Sequence, residues 1–346
     1  MDNDMLAVRL TSDGLVEQRV AIPTPGNDEI LVRIGAAGVC HSDAHYRDGV
    51  AAPQSLPVTL GHEVAGTVEA VTDGVVGFER GNRVALHYLV SCGRCRYCVG
   101  GTEQFCEAAE MIGKSIDGGF TEYISIPARN AVALPDNIPL EWGAVMMCST
   151  ATSYHAIQKA RFQPGERVAV FGVGGLGLSA VQLLTVGGAD RVFAVDLSPG
   201  RLELARSFGA IPINAAVVDP IEAIRDATNG AGVDISLELL GKRITIEQSL
   251  GCLAPMGRAA IVGITGETIA IDTYSTLIGG EHELIGVSDH LRSDLESLVE
   301  FAAAGKLVLS DIVTERVPLS AEAINACHDR LSANGSGVRS VVVPTD

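Results

Sequence analysis

A glycine-rich segment in the middle of the chain restricts the possible folds most. Gly172-Val173-Gly174-Gly175-Leu176-Gly177 has the spacing G-x-G-x-x-G. It directly follows the apolar run Val168 to Phe171 and opens a segment of helical character, Leu176 to Leu184. The surroundings therefore predict a turn from a buried strand into a helix, which is the context in which this spacing binds the pyrophosphate of a dinucleotide.

Each glycine of this turn has a physical task. Gly172 permits a tight turn, Gly174 lets the main chain approach a pyrophosphate at the helix N-terminus, and Gly177 allows close packing of helix on strand. Asp196 stands at the end of the next predicted strand, where a carboxylate accepts hydrogen bonds from the adenosine ribose and repels a 2′-phosphate. The pattern favours NAD over NADP. The alternative is an ordinary strand–helix turn followed by a surface aspartate.

The alternation of strand and helix continues beyond this turn. Strands are predicted at Arg167 to Phe171 and at Arg191 to Val195, and a further helix at Arg201 to Phe208. Similar pairs follow through about residue 286. Repeated strand–helix–strand units predict a parallel, doubly wound sheet.

The two ends of the chain have a different pattern. Before residue 146, short strands separated by Gly/Pro turns are predicted at Met5 to Leu10, Leu15 to Ile22, Glu29 to Gly35, Glu63 to Val71, Arg83 to Leu86 and Thr121 to Ile126. The tail is predicted to form a helix, a strand, a second helix and a final strand, at Asp294 to Ala304, Val313 to Val317, Ala321 to Leu331 and Val338 to Val343. With 346 residues, 47% of them hydrophobic, the chain can bury two cores. We expect an α/β protein with a β-rich domain, residues 1–148 joined by 287–346, and a second domain at 149–286.

Charge narrows the range of partners. The net charge of -17 repels a phosphate backbone, so nucleic acid and anionic membranes are not expected to bind. The start, Met1-Asp2-Asn3-Asp4, lacks the features of a secretory signal, and no run of about 18 apolar residues occurs. We therefore expect a cytoplasmic protein whose eight cysteines are thiols or metal ligands rather than disulfides.

Four of these cysteines lie within fifteen residues. They are Cys92, Cys95, Cys98 and Cys106. Thiolates at such spacings wrap one tetrahedral zinc ion, and four of them close its coordination shell, which leaves no position for a substrate. The spacing predicts a structural zinc site. An iron–sulfur site or a reducible thiol cluster is the alternative.

A second dense group of polar residues is Cys40-His41-Ser42-Asp43-Ala44-His45. It follows the apolar segment Ile30 to Val39, so it lies where a strand meets a loop or a helix. One thiol, two imidazoles, a hydroxyl and a carboxylate in six residues suit a reactive site. The competing interpretation is a Ser/Asp helix cap beside a buried cysteine.

Taken together, these motifs resemble one family over essentially the whole chain. They are Cys40-His41-Ser42-Asp43 with His45, Gly61-His62-Glu63, the four-cysteine loop, Cys148 with Thr152, the glycine turn, and Asp196 with Arg201. The combination is similar to that of the zinc-dependent medium-chain alcohol dehydrogenases. The resemblance implies a GroES-like β-rich catalytic domain and a Rossmann domain that binds NAD.

The resemblance also implies a catalytic zinc held by Cys40, His62 and Cys148, with the fourth position open to water or substrate. Glu63 would lie behind the metal and be able to join it. Asp43 would hydrogen-bond His62 and fix its tautomer.

The reaction so implied is hydride transfer between an alcohol and NAD, assisted by zinc as a Lewis acid. The alcohol proton would leave through Ser42 and the nicotinamide ribose to His45. In the alternative, Ser42 only caps a helix and His45 is only exposed.

Further cofactor contacts follow from the resemblance. His41 and Arg339 are implied at the pyrophosphate, Arg201 at the ribose, Thr152 at the nicotinamide face, and Val262, Gly263 and Ile264 at the carboxamide, in addition to Gly172, Gly174, Gly175, Leu176, Gly177 and Asp196. Tyr88, with Ala51 and Trp142, is a candidate for the substrate pocket, although an aromatic there is equally compatible with the core.

The expected substrate is a small primary or secondary alcohol, oxidised to an aldehyde or ketone. Related polyol dehydrogenases typically have Glu as the third zinc ligand, so Cys148 favours an alcohol. A polyol, amino alcohol or cyclic alcohol remains open, as does a zinc- and NAD-binding protein without turnover. The resemblance further suggests a homo-oligomer, a tetramer or a dimer, with the edge strand near Leu284 to Val287 as its seam.

Overall fold

The computed structural model describes residues 4–332 and 339–344. The first three residues of the acidic start and Val338 of the predicted final strand lie outside this range. The chain divides into two compact units, Met1–Cys148 with Leu291–Asp346, and Ser149–His290. Residues 287–290, expected in the first domain, fall in the second unit, because the Val287 N–H continues the parallel sheet by donating to the Ile261 carbonyl.

The first unit is rich in short strands. Its elements are β1 Asp4–Thr11, β2 Gly14–Ala21, β3 Glu29–Gly38, α1 His41–Arg47, β4 Val58–Thr59, β5 Glu63–Val71, β6 Arg83–Leu86, β7 Leu89–Val90, α2 Arg96–Val99, β8 Glu110–Met111, β9 Tyr123–Pro127, β10 Ala131–Ala133, α3 Leu140–Val145, α9 Arg292–Ala303, β17 Val313–Pro318, α10 Ala321–Ser332 and β18 Arg339–Val343. Each strand predicted in the β-rich part of the sequence is present, and the predicted bounds of β5 and β6 are those observed.

The main sheet of this unit is organised around β3. It has seven strands in the order β10-β6-β5-β3-β18-β17, with β9 also paired to β3. The tail therefore rejoins the first unit as β18, which is antiparallel to β3, with Val341 opposite Gly38. Smaller sheets, β2-β1-β4 and β7-β8, complete the unit.

The end of β3 is where the sequence of this unit matters most for the site. A Cβ atom at Gly38 would collide with the carboxylate of Glu63, which begins the neighbouring strand β5. Glycine at position 38 thus makes room for a carboxylate, and the next turn of chain is α1, whose N-cap is Cys40. The strand pair places Glu63 and Cys40 at one end of the sheet.

The second unit has the predicted alternation. Its elements are α4 Ala151–Lys159, β11 Arg167–Phe171, α5 Gly175–Val186, β12 Arg191–Asp196, α6 Pro199–Ser207, β13 Ile211–Asn214, α7 Pro220–Ala227, β14 Val233–Glu238, α8 Arg243–Gly251, β15 Leu253–Ile261 and β16 Glu283–Gly286. Met146–Thr150 and Thr273–Ile278 are π-helical.

Six strands form one all-parallel sheet in the order β13-β12-β11-β14-β15-β16. The order steps outward in both directions from β11, which is the arrangement of a doubly wound sheet. Its central strand is fully apolar and buried from Val168 to Phe171, as expected of a strand covered on both faces. The predicted α/β class is confirmed. No helix in the described part of the chain is long and apolar enough to cross a bilayer.

Candidate active site

Four side chains of the first unit meet around one point. The ligand atoms of Cys40, His62, Glu63 and Cys148 all lie within 4.8 Å of one another, and all four residues are buried. The Cys40 and Cys148 sulfurs are 4.0 Å apart, and His62 Nε2 is 3.4 Å from the Cys148 sulfur. Sulfurs bound to tetrahedral zinc lie about 3.8 Å apart, and a nitrogen and a sulfur about 3.6 Å apart. The donor set and its spacing fit zinc.

Asp43 holds this cluster in place through three hydrogen bonds. Its Oδ1 accepts from the Gly61 N–H at 3.2 Å and from His62 Nδ1 at 3.1 Å, while Oδ2 accepts from the Cys40 N–H at 3.0 Å. Because Nδ1 donates to the carboxylate, the lone pair of His62 is on Nε2, which faces the sulfurs. The hydrogen bond implied between Asp43 and His62 is therefore present. The N-cap of α1 is Cys40 rather than Ser42 or Asp43, but Asp43 in the first turn accepts the Cys40 N–H, so it stabilises the start of the helix as well as the site.

Glu63 and Arg339 form a buried ion pair beside the cluster. Arg339 Nη2 contacts Glu63 Oε2, and the side chains are 5% and 0% exposed. Burial raises the pKa of Glu63 to about 7, although the guanidinium opposes this shift. Glu63 Oε1 has no hydrogen-bond partner among the described residues, so one buried carboxylate oxygen is available to a metal ion.

The two cysteines of this cluster influence each other. Their mutual hydrogen bond lowers the pKa of Cys40 well below the usual thiol value, and the same bond raises that of Cys148. The charges of His62 and Arg339 also favour a thiolate at Cys40. A thiolate is the form of cysteine that binds metal. A zinc ion would draw the second sulfur into the same form.

The four-cysteine loop forms a second potential metal site. The ligand atoms of Cys92, Cys95, Cys98 and Cys106 lie within 4.8 Å of one another. Sulfur distances are 3.5 Å from Cys95 to Cys98 and 4.0 Å from Cys92 to Cys98, close to the tetrahedral spacing. Main-chain N–H groups lower the pKa of Cys95 to about 6. This set offers four sulfurs and fits structural zinc.

The glycine turn has the geometry that a pyrophosphate requires. Gly172 has φ +90°, a left-handed conformation that disfavours other residues. A Cβ at Gly174 would meet no atom within 4 Å, whereas one at Gly177 would collide with the Gly172 carbonyl. The turn is thus open where a ligand would approach and closed where helix α5 packs on β11.

Asp196 lies at the end of β12, beside this turn. Its Oδ2 accepts from the Val173 N–H and its Oδ1 from the Ser198 N–H, each at 2.9 Å. The side chain is 9% exposed. Because each carboxylate oxygen has two lone pairs, capacity remains for ribose hydroxyls.

Comparison with known proteins agrees with both halves of this description. Residues 26–136 match the family described as "Alcohol dehydrogenase GroES-like domain", and residues 175–304 match "Zinc-binding dehydrogenase". An alcohol dehydrogenase of Geobacillus stearothermophilus is 36% identical over 91% of each chain. The chain belongs to the zinc-dependent medium-chain alcohol dehydrogenase family.

The names of other similar proteins mention different substrates or cofactors. An NAD-dependent alcohol dehydrogenase of Sulfurisphaera tokodaii is 34% identical, covering 98% of this chain and 100% of its own. A sorbitol dehydrogenase of Bacillus subtilis is 31% identical, and the match covers 87% of this chain and 86% of that relative. A solved structure from Sinorhizobium meliloti 1021, bound to NADP, has a TM-score of 0.91 and 30% identity and covers 99% of each chain.

In this member of the family, the residues expected at the proton relay lie on α1. Ser42 Oγ is 3.9 Å from the Cys40 sulfur and is partly buried, while His41 and His45 are exposed, with ring centroids 6.3 Å apart. His41 Nε2 lies 3.0 Å from the Leu331 carbonyl. One helical turn thus runs from the zinc cluster to the surface.

The residues of the second unit that are expected to bind the cofactor lie on several elements. Thr152 is half-buried on α4. Arg201 lies in the first turn of α6, where its main-chain N–H donates to Ser198 Oγ at 3.5 Å. Val262, Gly263 and Ile264 follow the carboxyl end of β15, and Ile264 is 87% exposed. The carboxyl ends of parallel strands are where this type of sheet binds nucleotides.

Two placements could not be inferred from sequence spacing. Arg339, expected at a pyrophosphate, pairs with Glu63 in the first unit. Tyr88, an uncertain pocket residue, presents an edge-on ring contact to His62, with centroids 5.1 Å apart. Ala51 is exposed and Trp142 is half-buried in α3. No local motif signals either contact, because each depends on how distant strands pair.

Proposed function

We propose that this protein is an NAD-dependent zinc alcohol dehydrogenase that oxidises a small primary or secondary alcohol to an aldehyde or ketone. The observation that carries the proposal is the grouping of Cys40, His62, Glu63 and Cys148, whose spacing fits zinc. Zinc bound there would supply Lewis-acid chemistry, and bound NAD would accept a hydride.

The residues around the cluster have distinct tasks in this proposal. Cys40, His62 and Cys148 hold the metal, and Asp43 keeps His62 Nε2 directed at it. The unpartnered oxygen of Glu63 is available as an additional ligand during exchange. The alcohol proton would pass to Ser42 Oγ as the Ser42 hydroxyl proton moves on through the nicotinamide ribose, and the exposed imidazole of His45 would release a proton to solvent.

NAD is proposed as the cofactor because of Asp196. Its carboxylate is held beside the glycine turn by two main-chain N–H groups, so it cannot turn away from a ribose bound there. A 2′-phosphate would be placed against this negative charge. The name of the Sulfurisphaera relative supports NAD, whereas the NADP-bound structure shows that the fold also accepts the phosphorylated form.

The substrate class is proposed from the metal ligands. Cys148 at the third ligand position favours an alcohol over a polyol. A polyol is the second candidate, supported by the sorbitol dehydrogenase among the relatives.

The deciding experiment is a panel of primary, secondary and cyclic alcohols, polyols and amino alcohols, with their carbonyl partners, assayed with NAD and NADP. We expect NADH formation with a simple alcohol and a preference for NAD. A preference for NADP would contradict the role of Asp196. No turnover with any substrate, in protein that contains two zinc ions per chain, would support a binding protein instead.

We also propose that the protein is a homo-oligomer, a dimer or a tetramer. Strand β16 is the last strand of its sheet, and Leu284 on it is 40% exposed. An exposed edge strand offers unpaired main-chain groups to a second copy. Light scattering should give two or four times 36.1 kDa, and Leu284→Lys should lower this mass. Val218→Lys, at a similarly exposed site (48%) after β13, is the control.

A further inference from the structure

Glu238 is a fully buried carboxylate that none of the motifs above includes. It is the last residue of β14 and is 0% exposed. Among the described residues no cation forms an ion pair with it. Its side chain is surrounded by donors. Oε1 accepts from the Leu240 N–H and the Gly241 N–H, each at 3.0 Å, and from the Thr245 hydroxyl at 2.7 Å. Oε2 accepts a further hydrogen bond from the Gly241 N–H at 3.1 Å. A site lined only by donors suits an ionised carboxylate.

The main chain of Glu238 is also engaged. Its carbonyl accepts hydrogen bonds from Val262 at 2.9 Å and from Gly263 at 3.1 Å. One residue therefore binds the turn that follows β14 through its side chain and the segment that follows β15 through its main chain.

These two segments pack directly on each other. Gly241 has φ +70°, and a Cβ on it would collide with the Ile264 carbonyl, while a Cβ on Gly263 would collide with Gly241 N. The position of Gly241 thus fixes the position of the main chain at Gly263 and Ile264. Since the carboxylate of Glu238 holds the Gly241 N–H, it controls this contact.

The other end of the same turn is held differently. The Leu239 N–H donates to the Phe171 carbonyl at 3.1 Å, and the Leu240 side chain lies where a Cβ of Gly172 would be. The turn therefore lies between the glycine turn and residues 262–264, both at the carboxyl edge of the sheet. Its Leu239 end is fixed by main chain, whereas its Gly241 end depends on Glu238.

We propose that Glu238 is a positioning residue for the nicotinamide end of the cofactor. It holds Gly241 and, through it, Val262 to Ile264 at a set distance from the glycine turn. The inference rests on the proposed function, since it requires bound NAD, whose carboxamide the family resemblance implies at residues 262–264. Glu238 itself touches neither substrate nor cofactor in this role.

The test compares a dinucleotide with a ligand that lacks the nicotinamide. In Glu238→Gln, the amide oxygen can take the place of Oε1, but the NH2 group then faces the Gly241 N–H in place of Oε2, so the hold on the Gly241 end of the turn is weakened. Calorimetric titration of the zinc-loaded protein should show a roughly tenfold weaker Kd for NADH, equivalent to about 1.4 kcal/mol, with the Kd for ADP changed less than about twofold. Amide hydrogen exchange should accelerate at Gly241 and Gly263.

Thr245→Val is a milder second variant, because it removes one donor to Oε1 and preserves side-chain shape. It should shift NADH affinity in the same direction by a smaller factor. Glu222→Gln, an exposed carboxylate on α7, is the matched control and should bind both ligands as the wild type does.

Equal weakening of NADH and ADP in Glu238→Gln would indicate a general loss of structure and overturn the proposal, as would unchanged binding of both. If Glu238→Gln does not fold, unchanged NADH affinity in Thr245→Val overturns it. If the wild type binds neither ligand, the proposed function itself is wrong and this inference falls with it.

Discussion

The guanidinium of Arg339 forms an ion pair with the carboxylate of Glu63, although the two residues are 276 positions apart in the chain. Both are buried beside the zinc cluster. Arg339 places a positive charge next to Cys40, Cys148 and the Glu63 carboxylate, which are buried together. Removing one member therefore leaves an uncompensated charge, which is costlier than the loss of an exposed ion pair.

Arg339→Met should lower the free energy of unfolding by about 3–5 kcal/mol, the range for breaking a buried pair. Arg316→Met is the control, because Arg316 is exposed where it pairs with Glu141, and such pairs contribute about 0–1 kcal/mol. Denaturant unfolding at constant zinc content measures both. Equal losses of unfolding free energy in the two variants would show that the buried Arg339 pair contributes no more to stability than the exposed one.

Metal analysis should find two zinc ions per chain. Cys98→Ser should retain about one and should be strongly destabilised, because metal binding of this type contributes ~10 kcal/mol or more. Cys40→Ser should also retain about one but lose alcohol oxidation. Cys252→Ala is the control and should retain two zinc ions. The buried Cys252 thiol lies outside both clusters and donates a hydrogen bond to the Ser249 carbonyl. Iron with a visible absorption band in the loop would contradict the assignment.

Ser42→Ala should slow alcohol oxidation roughly 10²-fold, the contribution typical of a positioned proton-transfer group. The effect should fall on kcat rather than on the Kd for NAD, which is measured separately. Ser207→Ala, on an exposed turn of α6, should have wild-type rates. Full activity in Ser42→Ala would leave Ser42 with only a structural role on α1.

His328 should make the protein sensitive to acid. It is fully buried in α10 next to the Phe120 ring, and neither ring nitrogen has a hydrogen-bond partner among the described residues. Burial lowers its pKa, a shift that the Asp43, Asp48 and Asp329 charges oppose and Arg47 favours. The unfolded chain then binds a proton at about pH 6.5 that the folded chain rejects, so stability falls as pH decreases from about 6.5 through the folded pKa.

His328→Phe should therefore be more stable than the wild type at pH 5, and the difference should shrink towards pH 7.5. Urea unfolding across this range measures it. Parallel stability curves for the two proteins would mean that His328 does not titrate differently in the folded state.

Local spacing was sufficient for sites whose residues form a recognisable short motif. The glycine turn, Asp196 and the two flanking strands could be predicted because strand and helix periods and glycine positions are local properties. The four-cysteine loop could be predicted because its members are close enough to surround one ion in any compact conformation. The role of Asp43 at the start of α1 belongs to the same class, since Cys40 is only three residues away.

The cluster of Cys40, His62, Glu63 and Cys148 joins residues that are far apart in the chain. Cys40 and Cys148 are 108 positions apart, and it was the family resemblance, not spacing, that joined them. The pairing of Arg339 with Glu63 and the ring contact of Tyr88 with His62 had no signal in the sequence. The sequence by itself determined the ligands and turns that local geometry can assemble. The tertiary structure decided which distant side chains share a buried space, because that depends on how β18, from the tail of the chain, pairs with β3, and no local rule specifies this pairing.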